Sequence, residues 1–247
     1  GDEWDPAVGF VQRRGFRRAN PVLQFEPRPD WFESVRNLEF RVYHEHLTDL
    51  HNLLLTRETS FGFGVQYDSG DRLRVRKNFQ FELLEQPFEI HPGVVVPIGG
   101  YYFDGWEVRV ESASHRLFSG RASVKLGELW SGGRSAIELA LTVRPYPGIT
   151  ATTEWEHEDV DLGQGQFTTN LVRFIGGWHA SPWLSVDGNL QYDTVTDIAG
   201  LYTRFRWIIQ PGSDLYFVYT ENWQSTDNRW LTLSRGATTK VNYTHRF

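Results

Sequence analysis

Three histidines that follow Val42 are the first residues whose types and spacing could do chemistry. His44 and His46 are separated by one residue, and His51 follows shortly after them. Alternate residues of a strand share a face, so His44 and His46 could hold one metal ion, for which imidazole is a common ligand. However, they continue an alternating apolar set that ends at Val42. We therefore interpret them as an interfacial strand end and expect no metal site and no cofactor.

A serine and a histidine close together are the second candidate for chemistry. Ser112 and Ser114 precede His115, and a Ser–His pair is the starting point for nucleophilic catalysis. All three residues lie in a predicted tight turn between strands. We therefore expect that the protein is not an enzyme, and keep a lipid-modifying enzyme of the membrane surface as a minor alternative.

The composition excludes several other classes. The 247 residues contain no cysteine, which excludes disulfide scaffolds, thiolate metal sites and cysteine nucleophiles. A net charge of -6 argues against a nucleic-acid partner, because such proteins are usually basic. No apolar run is long enough for a transmembrane helix. Methionine is also absent, so the initiator residue is missing, and we expect Gly1 to be either a processing point or the start of a fragment.

Hydrophobic residues alternate with polar ones along almost the whole chain. In the segment 136–144, Ile137, Leu139 and Leu141 alternate with Glu138 and Ala140. This period of two is typical of β-strands with one apolar and one polar face. The pattern predicts an all-β protein with no domain boundary in 1–247. Its fourteen predicted strands are 7–13, 19–28, 35–46, 53–67, 72–84, 104–112, 118–129, 135–144, 149–158, 167–179, 183–192, 199–209, 214–222 and 237–247.

Two all-β folds compete at this point, a soluble sandwich with its apolar face inside and an outer-membrane barrel with its apolar face in lipid. Strand length favours the barrel, since a tilted strand of about 9–11 residues crosses a bilayer. The connections also alternate, with tight ones such as 144–149 and long ones such as 157–167. The sequence therefore predicts a transmembrane antiparallel up-and-down β-barrel with short periplasmic turns and longer extracellular loops, in the bacterial outer membrane.

Aromatic residues near the strand ends give the same indication. Amphipathic aromatic rings favour the headgroup level of a bilayer. The final strand carries Tyr243 and ends at Phe247, which resembles the signal by which the barrel-assembly machinery recognises its clients, although His245 stands where that signal usually has an aromatic residue. The predicted aromatic girdle is Trp106, Trp130, Trp155, Trp178, Trp183 and Trp207.

In a barrel, the charged face of each strand would line the lumen. Both signs are interspersed along it, so that neighbouring strands can form ladders of opposite charge. Two interpretations stay open: a self-neutralising, solvated lumen, or a ring of charges that selects a solute. The predicted lumen-lining residues are Arg41, Arg74, Arg76, Glu107, Arg109, Glu111, Glu138, Arg144, Arg173, Asp187, Arg204 and Arg206.

Two other segments point to partners of a barrel. The segment between Leu84 and Asp104 is too apolar for a free loop in water, so Phe88, Ile90, Val95 and Ile98 should form a constriction in the lumen, cap its mouth, or contact a protein partner. Near the start of the chain, Arg13, Arg14, Arg17 and Arg18 could bind the phosphates of lipopolysaccharide. A solvated turn explains the same cluster.

Several strings resemble a known but uncharacterised family. They are residues 7–14 (AVGFVQRR), 85–90 (EQPFEI), 166–173 (QFTTNLVR), 201–207 (LYTRFRW) and 211–215 (PGSDL). They are similar to the C-terminal β-barrel region of outer-membrane proteins that carry an N-terminal periplasmic carbohydrate-binding module of the family-nine type. The resemblance implies that the module and earlier strands precede this chain. It implies no catalytic residues.

From these observations we expect a channel or conduit for small solutes, with carbohydrate-related solutes suggested by the resemblance. The first alternative is a plugged barrel that anchors or scaffolds a periplasmic module or partner complex.

Overall fold

The computed structural model describes residues 15–226 and 229–244, and every regular element in them is a β-strand. The strands are β1 (Phe16–Ala19), β2 (Val22–Phe25), β3 (Val35–Asp49), β4 (Leu54–Tyr67), β5 (Arg72–Leu84), β6 (Phe88–His91), β7 (Val94–Val96), β8 (Gly99–Glu111), β9 (Phe118–Leu129), β10 (Gly132–Val143), β11 (Ile149–Leu162), β12 (Gly165–Ser181), β13 (Leu184–Asp193), β14 (Ile198–Gln210), β15 (Ser213–Thr226) and β16 (Arg229–Asn242).

Fourteen of these strands form one antiparallel, up-and-down sheet. Its order is β1-β3-β4-β5-β8-β9-β10-β11-β12-β13-β14-β15-β16, and β2 also pairs with β3. The predicted all-β, antiparallel architecture is therefore confirmed. Among the described residues, the strand order ends at β1 and β2 on one side and at β16 on the other, and no pairing that would close the sheet is found.

The sequence pattern located most strands well but mispredicted the ends of several of them. β5 and β9 have the predicted bounds, whereas β11 extends to Leu162 and β12 begins already at Gly165. β15 likewise extends to Thr226, and β16 begins at Arg229. The polar residues here look like loops in sequence, but strand pairing satisfies the backbone polar groups whatever the side chains are. The predicted strand 7–13 lies outside the described residues.

The expected contrast between short turns at one end of the strands and long loops at the other is wrong, because the strands extend into segments that were predicted as loops. Residues 163–164 join β11 to β12, and residues 182–183 join β12 to β13. These two connections lie at opposite ends of β12, so tight turns occur at both ends of the strands. The segment expected to be one long loop, 85–103, contains the β6–β7 hairpin (residues 88–96), whose two strands pair with each other in a separate sheet, and the first residues of β8.

Alternation along the strands leaves an apolar face that is open to the surroundings. Leu139 is 44% exposed and Trp106 is 53% exposed, whereas polar residues of the alternate positions, such as Glu107 and Glu154, form ion pairs. A soluble sandwich would bury its large apolar side chains between two sheets. Among the described residues, the buried hydrophobic side chains are Leu55, Leu84, Val94, Val96, Ala113, Ala136, Val160 and Leu162.

The chain divides into two compact units. The first comprises the described residues up to Val110 together with Ser123–Ala136 and Asp159–Phe167, and the second comprises Glu111–Ala122, Ile137–Glu158 and the described residues from Thr168 onward. The hydrophobic cluster of the first unit contains Leu84, Val94, Val96, Val160 and Leu162. None of the described residues forms a helix that is long and apolar enough to cross a bilayer.

Candidate functional site

The candidate site of the first unit is a cavity of about 550 Å³ over β3, β4 and β5. Gly62 and Gly64 of β4 form its floor. Arg41 and Arg76 flank Gly62 on the two neighbouring strands, and Glu39 and Arg74 flank Gly64. Because glycine has no side chain, the long flanking side chains have room to lie over β4: a Cβ atom at Gly64 would approach Glu39 Cβ to 3.2 Å.

Glu107 is the best-held charge at this cavity. It is only 8% exposed, and its carboxylate pairs with the guanidinium of Arg76. Its other oxygen lies 3.1 Å from Arg109 Nη2 and accepts a hydrogen bond from Ser123 Oγ at 3.4 Å. Two cations and a hydroxyl thus offset the cost of burying one carboxylate. The structure therefore brings together five predicted lumen residues, namely Arg41, Arg74, Arg76, Glu107 and Arg109.

The other charges at the cavity are held less tightly. Arg74 Nε lies 3.8 Å from Glu39 Oε2. Arg41 and Glu58 also line the cavity, and neither makes a side-chain hydrogen bond or ion pair with any other described residue. Most charged side chains of the cavity therefore form ion pairs with each other. Two charges of opposite sign, Arg41 and Glu58, have no ion-pair partner among the described residues.

The polar face of the second unit carries a ladder of alternating charge. Glu154 of β11 lies between two arginines: its Oε2 is 2.7 Å from Arg173 Nη1 of β12 and its Oε1 is 3.4 Å from Arg121 Nη2 of β9. Arg173 also donates from Nε to Gln191 of β13 at 3.2 Å. These contacts join four strands through side chains.

Further along the same unit, Asp187 of β13 accepts from Arg204 of β14 at 2.8 Å and lies 3.0 Å from His179 Nε2. Arg144 donates to Ser119 Oγ at 2.6 Å, and Arg206 lies 3.7 Å from Asp214. The two remaining predicted lumen residues, Glu111 and Glu138, lie on β8 and β10 and also have interaction partners.

The β6–β7 hairpin packs on the polar face at the ends of several strands of the first unit. Leu84 has the same parity along β5 as Glu82 and Arg76, so the cluster that it shares with the hairpin lies on the polar side. Trp130 Nε1 donates to Glu82 Oε2 at 3.1 Å, and the Trp130 ring meets Phe88 edge-on at 5.5 Å. Val94 packs against Gly165, where a Cβ atom would approach Val94 Cγ2 to 3.0 Å.

The predicted constriction residues divide between the two sides of this hairpin. Phe88 touches Trp130, and Ile90 packs against the buried cluster. Phe88, Val95 and Ile98 are all exposed, and the fully buried residue of the hairpin is Val96. The sequence predicted an apolar segment here but no strand. In β7, alternate residues face opposite sides, so that Val94 and Val96 lie on the packed side.

Four of the six predicted girdle tryptophans, Trp106, Trp178, Trp183 and Trp207, are exposed. Trp155 stacks on His157, with 5.6 Å between ring centroids, and Trp130 belongs to the hairpin contact. Lys77 is the one cation that the pattern places among the apolar residues of β5. It pairs with Asp104 and lies over the rings of Phe79 and Trp106, at 5.2 and 5.3 Å.

His44 and Ser112, two of the candidate chemical residues, each have a hydrogen-bond partner among the described residues. His44 Nδ1 lies 2.9 Å from Thr59 Oγ1, and the described residues contain no group of three or more potential metal ligands. The Ser112 hydroxyl accepts from Gly120 N at 2.6 Å, which ties it to the backbone of β9.

The predicted terminal signal and basic cluster are only partly described. Arg17 and Arg18 bind Asn52 and Glu45, respectively, whereas Arg13 and Arg14 lie outside the described residues. Tyr243 is exposed, and Phe247 also lies outside the described residues.

Sequence reasoning missed several residues of these sites. Glu58, Ser60, Gly62 and Gly64 form the polar register of β4, and their alternation with Phe61 and Phe63 was a usable signal. Glu221 and Arg235 pair at 2.5 Å, but the segment of Arg235 looked like a loop.

Comparisons with known proteins add no identity. No family model, no curated protein and no solved structure matches the chain. The resemblance to outer-membrane proteins with a carbohydrate-binding module stays a prediction.

Proposed function

We propose that this chain is part of an outer-membrane β-barrel that serves as a channel or conduit for small polar solutes. The observation that carries the proposal is the inverted distribution of its side chains. The apolar face of the sheet is exposed, and the opposite face carries ion pairs and a solvent-accessible cavity. In a bilayer, the first face meets hydrocarbon and the second lines water.

The strand lengths support the same proposal. β4, β11, β15 and β16 each contain 14 residues, which exceeds the length needed to cross a bilayer at a tilt. Neighbouring strands pair in a simple up-and-down order, as in membrane barrels. Closure of the sheet, location in a bacterial outer membrane, contacts with lipopolysaccharide and delivery by the barrel-assembly machinery are parts of this proposal.

Single-channel recording tests it. The protein, purified in detergent and inserted into planar bilayers, should produce discrete conductance steps. Inserted, folded protein that produces no steps would contradict a channel. Protein that stays folded and monodisperse in buffer without detergent would contradict a membrane barrel altogether.

A second candidate is a plugged barrel that anchors a periplasmic module or partner complex. The β6–β7 hairpin favours it, because the hairpin covers part of the polar face and buries Val96 completely. Replacing residues 88–96 by a short glycine-serine linker distinguishes the two. A plug predicts a silent parent protein and a conducting variant, whereas an open channel predicts conductance in both.

A further inference from the structure

The two uncompensated charges of the first-unit cavity lie on adjacent strands. Arg41 stands opposite Gly62 in the β3–β4 register, and Glu58 stands opposite Glu45. Four residues separate these two positions along the strands, a rise of about 13 Å. With the spacing between strands included, the two Cα atoms are about 14 Å apart. The side chains are therefore too far apart for direct contact, and they leave a gap that a ligand can fill.

The neighbourhood keeps each charge available. Glu45 is already compensated by Arg18 at 2.7 Å and by the hydroxyl of Tyr43, so it does not need a further cation. Glu58 receives no such partner from the described residues, and facing Glu45 makes its own negative charge more costly. At the other end, Arg76 and Arg109 are paired with Glu107, and Arg41 is the arginine of this cavity that has no carboxylate partner among the described residues.

The surface between the charges is polar and has room. Tyr43 and Ser60 face each other between the two ends, and Gly62 has no side chain. A ligand lying along β4 therefore meets hydroxyl groups in its middle, a carboxylate at one end and a guanidinium at the other. The cavity volume of about 550 Å³ falls within the range of small-molecule sites.

We propose that this cavity binds a short zwitterionic solute of about tripeptide length, with its carboxylate on Arg41 and its ammonium group on Glu58. The planar guanidinium can hold a carboxylate through two parallel hydrogen bonds. An extended tripeptide separates its terminal charges by about 10 Å, which the two flexible side chains can bridge. The inference rests on the proposed function, since the polar face must be open to water for a solute to reach it.

Saturation-transfer NMR titration of the detergent-solubilised protein provides the test, with triglycine, N-acetyl-triglycine and triglycine amide as probes. Triglycine should bind about tenfold more tightly than either derivative, because each derivative loses one charge-assisted contact. Arg41→Gln should weaken triglycine and N-acetyl-triglycine about tenfold and leave the amide unchanged. Glu58→Gln should weaken triglycine and the amide and leave N-acetyl-triglycine unchanged.

Two further variants control for folding and for location. Arg28→Gln removes an exposed arginine outside the cavity and should change none of the affinities. Gly62→Leu fills the cavity floor and should abolish binding of all three probes. Far-ultraviolet circular dichroism confirms that each variant keeps its sheet content.

Three results would overturn the inference. The first is equal binding of triglycine and N-acetyl-triglycine, which indicates a simple anion site. The second is an equal effect of both substitutions on all probes, and the third is the absence of triglycine binding. A protein that conducts but does not bind triglycine retains the proposed channel function and loses this site. A protein that binds triglycine with the predicted charge dependence but shows no conductance retains the site and loses the channel.

Discussion

The imidazole ring of His91 lies flat against the ring of Phe167, with ring centroids 4.6 Å apart and planes 14° from parallel. His91 ends β6, and Phe167 lies near the start of β12, so this contact ties the β6–β7 hairpin to a strand that is distant in sequence. Together with the edge-on contact between Phe88 and Trp130, it holds the hairpin at two points. The hairpin is therefore a packed element, and its stability can be measured separately from that of the sheet.

Phe167→Ala should loosen the β6–β7 hairpin without disrupting the sheet. Losing the stacked pair and part of the adjoining apolar contact should lower the free energy of local opening by about 1–2 kcal/mol. Amide hydrogen exchange of residues 88–96 should then accelerate about tenfold. Phe217→Ala, at an exposed position on β15, serves as the control and should leave that exchange unchanged. Unchanged exchange in Phe167→Ala would show that the stacking does not hold the hairpin.

Val95 and Val96 form a matched pair for testing which side of the hairpin is packed. Val96 is 0% exposed and Val95 is 42% exposed. Val96→Ala should lower the free energy of unfolding by about 2 kcal/mol, since it removes buried apolar volume. Val95→Ala should change it by less than about 0.5 kcal/mol. Urea unfolding in detergent measures both values, and equal effects would mean that the assigned register of β7 is wrong.

Leu139 and Ala140 are neighbours on β10 that test which face meets lipid. Leu139→Arg places a cation on the apolar face, and in a bilayer this should cost about 2–4 kcal/mol. Ala140→Arg places the same cation on the polar face and should be tolerated. The assembled, protease-resistant fraction in liposomes reports the difference. If both variants assemble equally well, the exposed apolar face does not lie in hydrocarbon.

Glu107→Gln should destabilise the first unit because it removes the carboxylate that Arg76 and Arg109 share. Hydrogen bonds to charged groups contribute about 1.5–3 kcal/mol, so a loss of about 2 kcal/mol in the free energy of unfolding is expected. Adding Arg109→Gln removes one of the two cations and should restore part of that loss. A double variant as unstable as the sum of the two single variants would indicate that the charges are not coupled.

How far the sequence determines this fold is best seen at β5. Its alternation of apolar and charged residues predicted both bounds, Arg72 and Leu84, and both faces, because side-chain direction follows from the backbone period alone. Four arginines and one glutamate at the first-unit cavity were recognised for the same reason. Lys77 was recognised as an exception, and the structure shows its partner, Asp104.

Side-chain contacts between neighbouring strands could not be predicted from the sequence, because they depend on the register of the strands. The approach of Arg121, Glu154 and Arg173 depends on which residues stand opposite each other across β9 to β12, and periodicity does not contain this information. The extension of β15 to Thr226 was missed because its last residues are polar and resemble a turn. The hairpin at residues 88–96 was missed because a short strand shares its composition with an apolar loop.

The ladder formed by Arg121, Glu154 and Arg173 also determines how far its charges act. Positive, negative and positive groups alternate within 3.4 Å of one another, so that only one unit of positive charge remains, and physiological salt screens it beyond a Debye length of about 8 Å. Close to the wall, the field instead runs sideways from strand to strand. Such a surface attracts few ions from a distance, but it turns dipolar molecules that come within contact range so that their dipoles lie across the strands.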